Sequence, residues 1–205
     1  MKIRVFLFLV FIPAIITAQY AHLKHIKPKF EFGVLVENTF VFNSKKTTKF
    51  INYENNETII SKGNSSNFYP FGFFISGRLN LFENLSFEFR LGIIFAGEPY
   101  AGLEYGFFLR YKFLHRKLFA VGGINLHDNF GAGHNSLSST DETITEFGGS
   151  IGYQFTKSFA VILSYYKPSK ELELYTENSN NFEESYSSYN LKYIIKYGID
   201  ITFNW

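Results

Sequence analysis

The sequence predicts an all-β protein, an eight-stranded antiparallel up-and-down transmembrane β-barrel that is preceded by a cleaved signal peptide. Three observations support this fold class. The chain ends in a strictly alternating strand, and it begins with a secretory signal. Between them lie alternating, aromatic-rich segments, and the 205 residues include 26 Phe and 14 Tyr. Aromatic side chains favour strands and also suit the boundary between lipid and water.

The first eighteen residues have the layout of a secretory signal peptide. Lys2 and Arg4 form a positive region, residues 5–17 are almost wholly apolar, and Ala18 precedes the expected cleavage point. The apolar run is shorter than the roughly 20 residues that a helix needs to span a bilayer. We therefore expect residues 1–18 to be removed and residues 19–205 to form one barrel domain.

Eight segments alternate or are rich in aromatic residues, and each is near or above the roughly 9–11 residues of a tilted membrane strand. They cover residues 29–42, 69–82, 85–96, 100–114, 117–126, 145–155, 158–167 and 189–205. Tight turns are predicted at 83–84, 115–116 and 156–157. The connections on the other side are a brief one at 97–99 and long polar loops at 43–68, 127–144 and 168–188. An even strand count with short turns at one end and longer loops at the other is typical of outer-membrane barrels.

The third and fourth segments indicate which face meets the lipid. One side of each carries six bulky residues: Leu85, Phe87, Phe89, Leu91, Ile93 and Phe95, then Leu103, Tyr105, Phe107, Leu109, Tyr111 and Phe113. The opposite sides carry Gly, Ser, Glu, Arg and Lys. An eight-stranded barrel has an interior only just wide enough for side chains, so the bulky face is predicted to point outward. The alternative is a soluble lipocalin-like barrel with its apolar face inward.

The inward polar residues are predicted to plug the lumen as an ion-pair network, since buried charges persist when they are paired. Six acids and five bases suit mutual pairing, and a charged pore lining is the alternative. The predicted interior residues are Glu31, Glu37, Arg78, Glu88, Arg90, Glu104, Arg110, Lys112, Glu146, Lys196 and Asp200.

The final strand resembles the C-terminal assembly signal of bacterial outer-membrane β-barrels. Lys196, Gly198, Ile201 and Phe203 occupy its polar, glycine, hydrophobic and aromatic positions, and Trp205 supplies the terminal aromatic. With the signal peptide, eight strands and charged interior, the chain after residue 18 resembles the small OmpA/OmpX-type outer-membrane barrels. The resemblance implies location in the outer membrane, contact with its lipid and lipopolysaccharide, and insertion by the barrel assembly machinery. We expect a monomer.

This resemblance does not determine an activity, because the fold hosts adhesins, enzymes, channels and structural proteins. We expect a non-enzymatic protein without cofactor or metal, with a structural or surface-interaction role. Loops 43–68 and 168–188 are the candidate surface for a ligand. The alternative is a narrow porin-like channel for small or hydrophobic solutes. Nucleic acid is not expected as a partner, because the 20 basic and 18 acidic residues balance once Lys2 and Arg4 are removed.

A short motif leaves a lipid A-modifying hydrolase open as a further alternative. Lipid A deacylases carry His-x-Ser-Asn with a later Glu, which together form a Ser-His-Glu site. His134 and Ser136 match His-x-Ser, and Glu142 or Glu146 follows, but Leu137 stands in the Asn position. The segment is also predicted to be a loop, which would hold such a site poorly.

The same loop contains a possible set of metal ligands. His127, Asp128 and His134 are ligating types, but two histidines separated by six residues in a loop are a weak metal-binding spacing. The sequence favours a solvated loop that contains two histidines over either site. The chain has no cysteine, so disulfides and a lipid-modified N-terminal Cys are excluded.

Overall fold

The computed structural model describes residues 29–51, 57–62, 67–95, 100–114, 116–130, 136–139, 143–179 and 185–203. The signal peptide predicted at 1–18, the connection at 97–99, His115, His134 and Trp205 lie outside these residues. The described residues contain no helix that is long and apolar enough to cross a membrane. The strands are β1 (Lys29–Ile51), β2 (Glu57–Lys62), β3 (Asn67–Phe68), β4 (Phe71–Asn80), β5 (Leu85–Phe95), β6 (Gly102–Phe113), β7 (Leu118–Asn129), β8 (Ser136–Ser139), β9 (Thr143–Gln154), β10 (Phe159–Pro168), β11 (Leu172–Ser179) and β12 (Ser185–Phe203).

Eight of these strands form a closed antiparallel barrel. The order around the wall is β1-β4-β5-β6-β7-β9-β10-β12, and pairing between β12 and β1 closes the circle. Val34 lies opposite Ile201 at the closing seam, and Phe89 lies opposite Phe107 in the wall. The predicted eight-stranded up-and-down barrel is confirmed. Each wall strand contains the core of one of the eight predicted segments.

Short turns join the wall strands at one end of the barrel. Their described residues are 81–84, 114, 116–117 and 155–158, and the described ends of the chain lie at the same end. Leu114 and Arg116 have positive φ angles of 48° and 65°, a conformation that few residues other than glycine adopt. Short turns are the periplasmic feature of outer-membrane barrels, so we call this end the periplasmic end.

The prediction of long loops at 43–68, 127–144 and 168–188 is wrong in part, because strands continue through much of these segments. β1 extends to Ile51 and pairs there with β2, and it stays paired with β12 as far as Lys49 opposite Ser185. β11 pairs with β12, and β8 pairs with β11. Outside a bilayer a strand needs no apolar face, so backbone pairing continues through Ser, Thr, Lys and Glu without the hydrophobic alternation that reveals a membrane strand.

The outer face of the wall is apolar and the inner face is charged. Ile151 is 63% exposed and Leu163 50%, whereas Glu88 and Glu104 are each 1% exposed. The face assignment made from residues 85–113 is therefore confirmed, and the inverted lipocalin-like alternative is wrong. An apolar exterior around a polar interior is the arrangement of a membrane-spanning barrel.

Candidate functional site

The lumen holds most of the charged residues that alternation assigned to it. Nine of the eleven are buried, while Glu31 and Lys112 are half-buried at the periplasmic end. The pleat directs every second side chain of each wall strand inward, and the register determines which of them meet. The nine buried residues are Glu37, Arg78, Glu88, Arg90, Glu104, Arg110, Glu146, Lys196 and Asp200. Eight of them form two charged layers, whereas Glu37 Oε1 has no hydrogen-bond partner among the described residues.

The layer nearer the periplasm, here called the inner charged layer, joins three arginines to two carboxylates. Arg78 Nε donates to Glu88 Oε2 at 3.1 Å, and Arg90 Nε donates to Glu88 Oε1 at 2.6 Å. Arg78 Nη2 donates to Asp200 Oδ1 at 2.5 Å, and Arg110 Nη2 donates to Asp200 Oδ2 at 2.6 Å. No member of this layer is more than 4% exposed. Multiple pairing offsets the large cost of burying five charges.

Two ion pairs cross the whole lumen. Arg110 on β6 contacts Asp200 on β12, and these strands are four places apart in either direction around the wall. Lys196 Nζ on β12 also donates to Glu104 Oε2 on β6 in a short hydrogen bond. Because β6 and β12 stand on opposite sides of the barrel, these side chains bridge the lumen instead of lining it.

The layer nearer the outer end, here called the outer charged layer, is centred on Glu104. His127 Nδ1 lies 3.3 Å from Glu104 Oε1, and the His127 ring stacks on Tyr100 with 4.0 Å between ring centroids. The Tyr100 hydroxyl lies 2.6 Å from Glu146 Oε1 and 3.1 Å from Glu104 Oε1. A phenol has one proton to donate, so the two carboxyl groups share a single hydroxyl donor. All four residues are at most 1% exposed.

Inward aromatic rings contact the buried cations. The Arg90 guanidinium lies 4.6 Å from the centroid of the Phe108 ring, and that of Arg110 lies 4.1 Å from the Phe119 ring. Lys196 Nζ lies 5.3 Å from the centroids of two further rings. Cation–π contacts of this kind are strongest where water is excluded. The four rings belong to Phe74, Phe108, Phe119 and Tyr166.

Glycines on neighbouring strands make room for these rings. A Cβ at Gly152 would lie 2.1 Å from the Phe119 ring, and a Cβ at Gly148 would lie 2.5 Å from the Tyr166 ring. Inward glycines were predicted within residues 85–113, but the aromatic residues that share their alternation were not predicted to point inward. Counting Phe108 together with its inward neighbours on β6 would have found one of them.

The prediction of a solvated loop around His127 is wrong. β7 continues to Asn129, and His127 is 0% exposed inside the barrel. The signal was the alternation that begins at Phe119, which places residue 127 on the inner face. Asp128 points to the opposite side, where it accepts a hydrogen bond from Thr143 Oγ1 at 2.5 Å. Adjacent residues of a strand face opposite ways, so His127 and Asp128 cannot ligate one ion.

The remaining metal and hydrolase hypotheses rest mostly on residues that the structure does not describe. Among the described residues, no group of three or more His, Cys, Asp or Glu could hold a metal ion. His134 and Glu142 lie outside the described part, and Ser136 belongs to β8. Glu146 lies in the lumen and is already hydrogen-bonded there, since Asn125 Nδ2 donates to its Oε2 at 2.9 Å. The hydrolase alternative therefore stays a prediction.

The residues of the resembled assembly signal divide between the two faces of β12. Lys196 points into the lumen, whereas Ile201 and Phe203 point outward with exposures of 36% and 47%. Gly198 leaves no room for a side chain, because a Cβ there would lie 2.2 Å from the Val36 carbonyl oxygen. The geometry explains the residue types, and the assembly role of these positions stays a prediction.

The closed wall, the apolar exterior and the charged interior define this chain as an eight-stranded transmembrane β-barrel of the outer-membrane type. No protein-family model matches the chain, and no curated protein matches it. Structural matches include OprG from Pseudomonas aeruginosa, at 9% identity, TM-score 0.48, and coverage of 87% of this chain and 98% of OprG. The N-terminal barrel domain of Pseudomonas aeruginosa OprF matches at 11% identity and TM-score 0.42, covering 85% and 100%. The outer-membrane protease OmpT from Escherichia coli matches at 9% identity and TM-score 0.44, covering 85% and 98%.

Proposed function

We propose that this chain is a non-enzymatic protein of the bacterial outer membrane, where its closed barrel acts as a structural scaffold that displays β-structure for surface interaction. The proposal rests on the two ion pairs that cross the lumen, Arg110–Asp200 and Lys196–Glu104. A solute or ion that passes through the barrel would have to separate both. Breaking one buried pair costs about 3–5 kcal/mol because it leaves an uncompensated charge.

The elements at the outer end support the display role. β1 and β12 continue together beyond the wall, with β2 added on one side and β11 with β8 on the other. A rigid scaffold that presents exposed segments is a common arrangement for recognition. The barrel would anchor these strands, and the ligand would contact them from outside the cell.

Conductance in planar lipid bilayers tests the closed lumen. We expect no discrete channel steps from the folded protein. The double variant Lys196→Ala/Glu104→Ala, which removes one crossing pair without changing the net charge, should show larger ion leakage than the parent. Heat-dependent gel mobility would verify that both proteins fold. Regular conductance steps from the unmodified protein would contradict the scaffold proposal and favour the narrow channel.

Binding and lipid analysis test the other parts of the proposal. Cells that express the protein should bind a host-cell or matrix surface, and a variant without residues 46–62 should lose this binding. The deletion removes the paired part of β1 and β2 and joins residue 45 to residue 63, next to the point where Lys46 and Lys62 stand opposite each other. Unchanged binding would contradict the display role. A shift in lipid A mass that disappears in His134→Ala and Ser136→Ala would establish the hydrolase instead.

A further inference from the structure

The periplasmic end of the barrel contains an open cavity of about 730 Å³, here called the periplasmic vestibule. Of the eleven described residues that line it, seven are Lys or Arg, and Glu31 is the one acid among them. The cavity lies between the short turns and the inner charged layer. Its volume falls within the roughly 300–1,000 Å³ of ordinary ligand sites.

The floor of the vestibule is formed by arginines that are already paired. Arg78 and Arg110 are each 2% exposed, and both form ion pairs with Asp200 and Glu88. These pairs hold the guanidinium groups in place and close the cavity toward the lumen. The floor of the cavity therefore consists of two guanidinium groups held in fixed positions.

The wall and rim add cations that these acids do not neutralise. Lys112 is half-buried on β6, where the carboxylates of Glu31 and Asp200 attract it and both floor arginines repel it. Glu31 Oε1 also accepts a hydrogen bond from Asn80 Nδ2 at 2.9 Å. Lys117 belongs to the exposed turn before β7. A half-buried ammonium beside like charges is a favourable place for an anion.

A charge count gives the vestibule a clear sign. Among the described residues, seven bases line it, whereas one acid, Glu31, does so. One rim cation is partly neutralised, because Arg116 pairs with Glu83 of the neighbouring turn. Concave walls of low dielectric constant concentrate such a field inside the cavity.

We infer that the periplasmic vestibule binds small polyvalent anions that carry two or more phosphate groups. Arg and Lys donors form the strongest charge-assisted hydrogen bonds with phosphate oxygens, and the cavity is large enough for several such groups. Lys112 and Lys117 would contact the anion, with the arginine floor behind them. This inference goes beyond the scaffold proposal, because the site faces the periplasm and needs no open lumen.

Calorimetric titration of tripolyphosphate into the protein folded in a neutral detergent tests the site. We expect saturable binding that weakens as sodium chloride is raised. Lys112→Gln/Lys117→Gln should weaken binding about tenfold or more, since each charge-assisted contact is strong. The matched control is Lys46→Gln/Lys167→Gln, which removes the same charge from exposed positions at the outer end and should leave binding unchanged.

Two further comparisons complete the test. Heat-dependent gel mobility would verify folding of all variants, so that a loss of binding is not a loss of structure. Absence of binding by the parent protein, or equal weakening in both double variants, would overturn the inference.

Repeating the titration in bilayer discs identifies the source of the anion. Competition from phosphatidylglycerol, but not from phosphatidylcholine, assigns the site to lipid headgroup phosphate, and equal binding in both lipids assigns it to a soluble phosphate.

Discussion

Arg110 and Asp200 stand on opposite walls of the barrel and meet in its centre, with 2.6 Å between Arg110 Nη2 and Asp200 Oδ2. Asp200 also accepts two hydrogen bonds from Arg78, so one carboxylate holds two buried arginines. The carboxylate connects β4, β6 and β12 through the lumen, which the backbone pairing of the wall does not. It is therefore a central element of the inner charged layer.

Replacing Asp200 with Ala should destabilise the folded barrel by about 3–5 kcal/mol, because the buried Arg78 and Arg110 would lose one of the two carboxylates that they share. Urea unfolding in lipid vesicles, followed by intrinsic fluorescence, would measure the change. The control is Glu171→Ala, which removes an exposed ion pair with Lys192 and should have no measurable effect. Similar unfolding midpoints for the two variants would contradict a structural role for the inner layer.

Gly152 should not tolerate a methyl group unless the ring beside it is removed. Gly152→Ala is expected to destabilise the barrel by about 1–3 kcal/mol, as overpacking does, because the new Cβ would overlap the Phe119 ring. Phe119→Ala in the same chain should cancel that effect, and a double-mutant cycle would reveal the coupling. Gly122→Ala is the matched control, since a Cβ there meets nothing within 4 Å. If the changes in stability caused by the two substitutions simply add, the overlap between a Cβ at position 152 and the Phe119 ring is not what destabilises Gly152→Ala.

Tyr100→Phe should lower the free energy of unfolding by about 1–3 kcal/mol, because Glu104 and Glu146 in the outer charged layer would lose the hydroxyl that they share. The ring would remain to stack on His127. The same unfolding measurement applies, with Tyr69→Phe as the control because Tyr69 is 61% exposed on the outer surface. Equal stability of the two variants would mean that the hydroxyl contributes nothing.

Leu163→Arg should impair folding into bilayers, since Leu163 lies at the middle of β10 and is 50% exposed on the outer face. Arginine at the midplane of a barrel exterior costs about 2–4 kcal/mol and much less near the interface. Phe155→Arg, in a periplasmic turn, is the control and should fold nearly as well as the parent. Folding yields in vesicles give the comparison. Equal yields would contradict the assignment of this face to lipid.

Much of the inner charged face was predictable because alternation is a local property. Glu88 and Arg90 could be assigned to the lumen from their neighbours alone, since each residue of a strand faces opposite to the next. His127 could not be assigned in the same way once the strand was predicted to end at residue 126. Polar extensions such as residues 43–51 were missed for the related reason that strands in water carry no apolar stripe.

The sequence by itself determined the number of wall strands, the end of the barrel that carries the short turns and the face that meets lipid, because these follow from spacing and alternation along the chain. Only the tertiary structure decided which charges pair. Arg110 and Asp200 are 90 residues apart in sequence, and Lys196 and Glu104 are 92 apart. Their meeting depends on the closure of β12 against β1 and on the register of every strand between them. No local pattern encodes the circle that brings opposite walls within hydrogen-bonding distance.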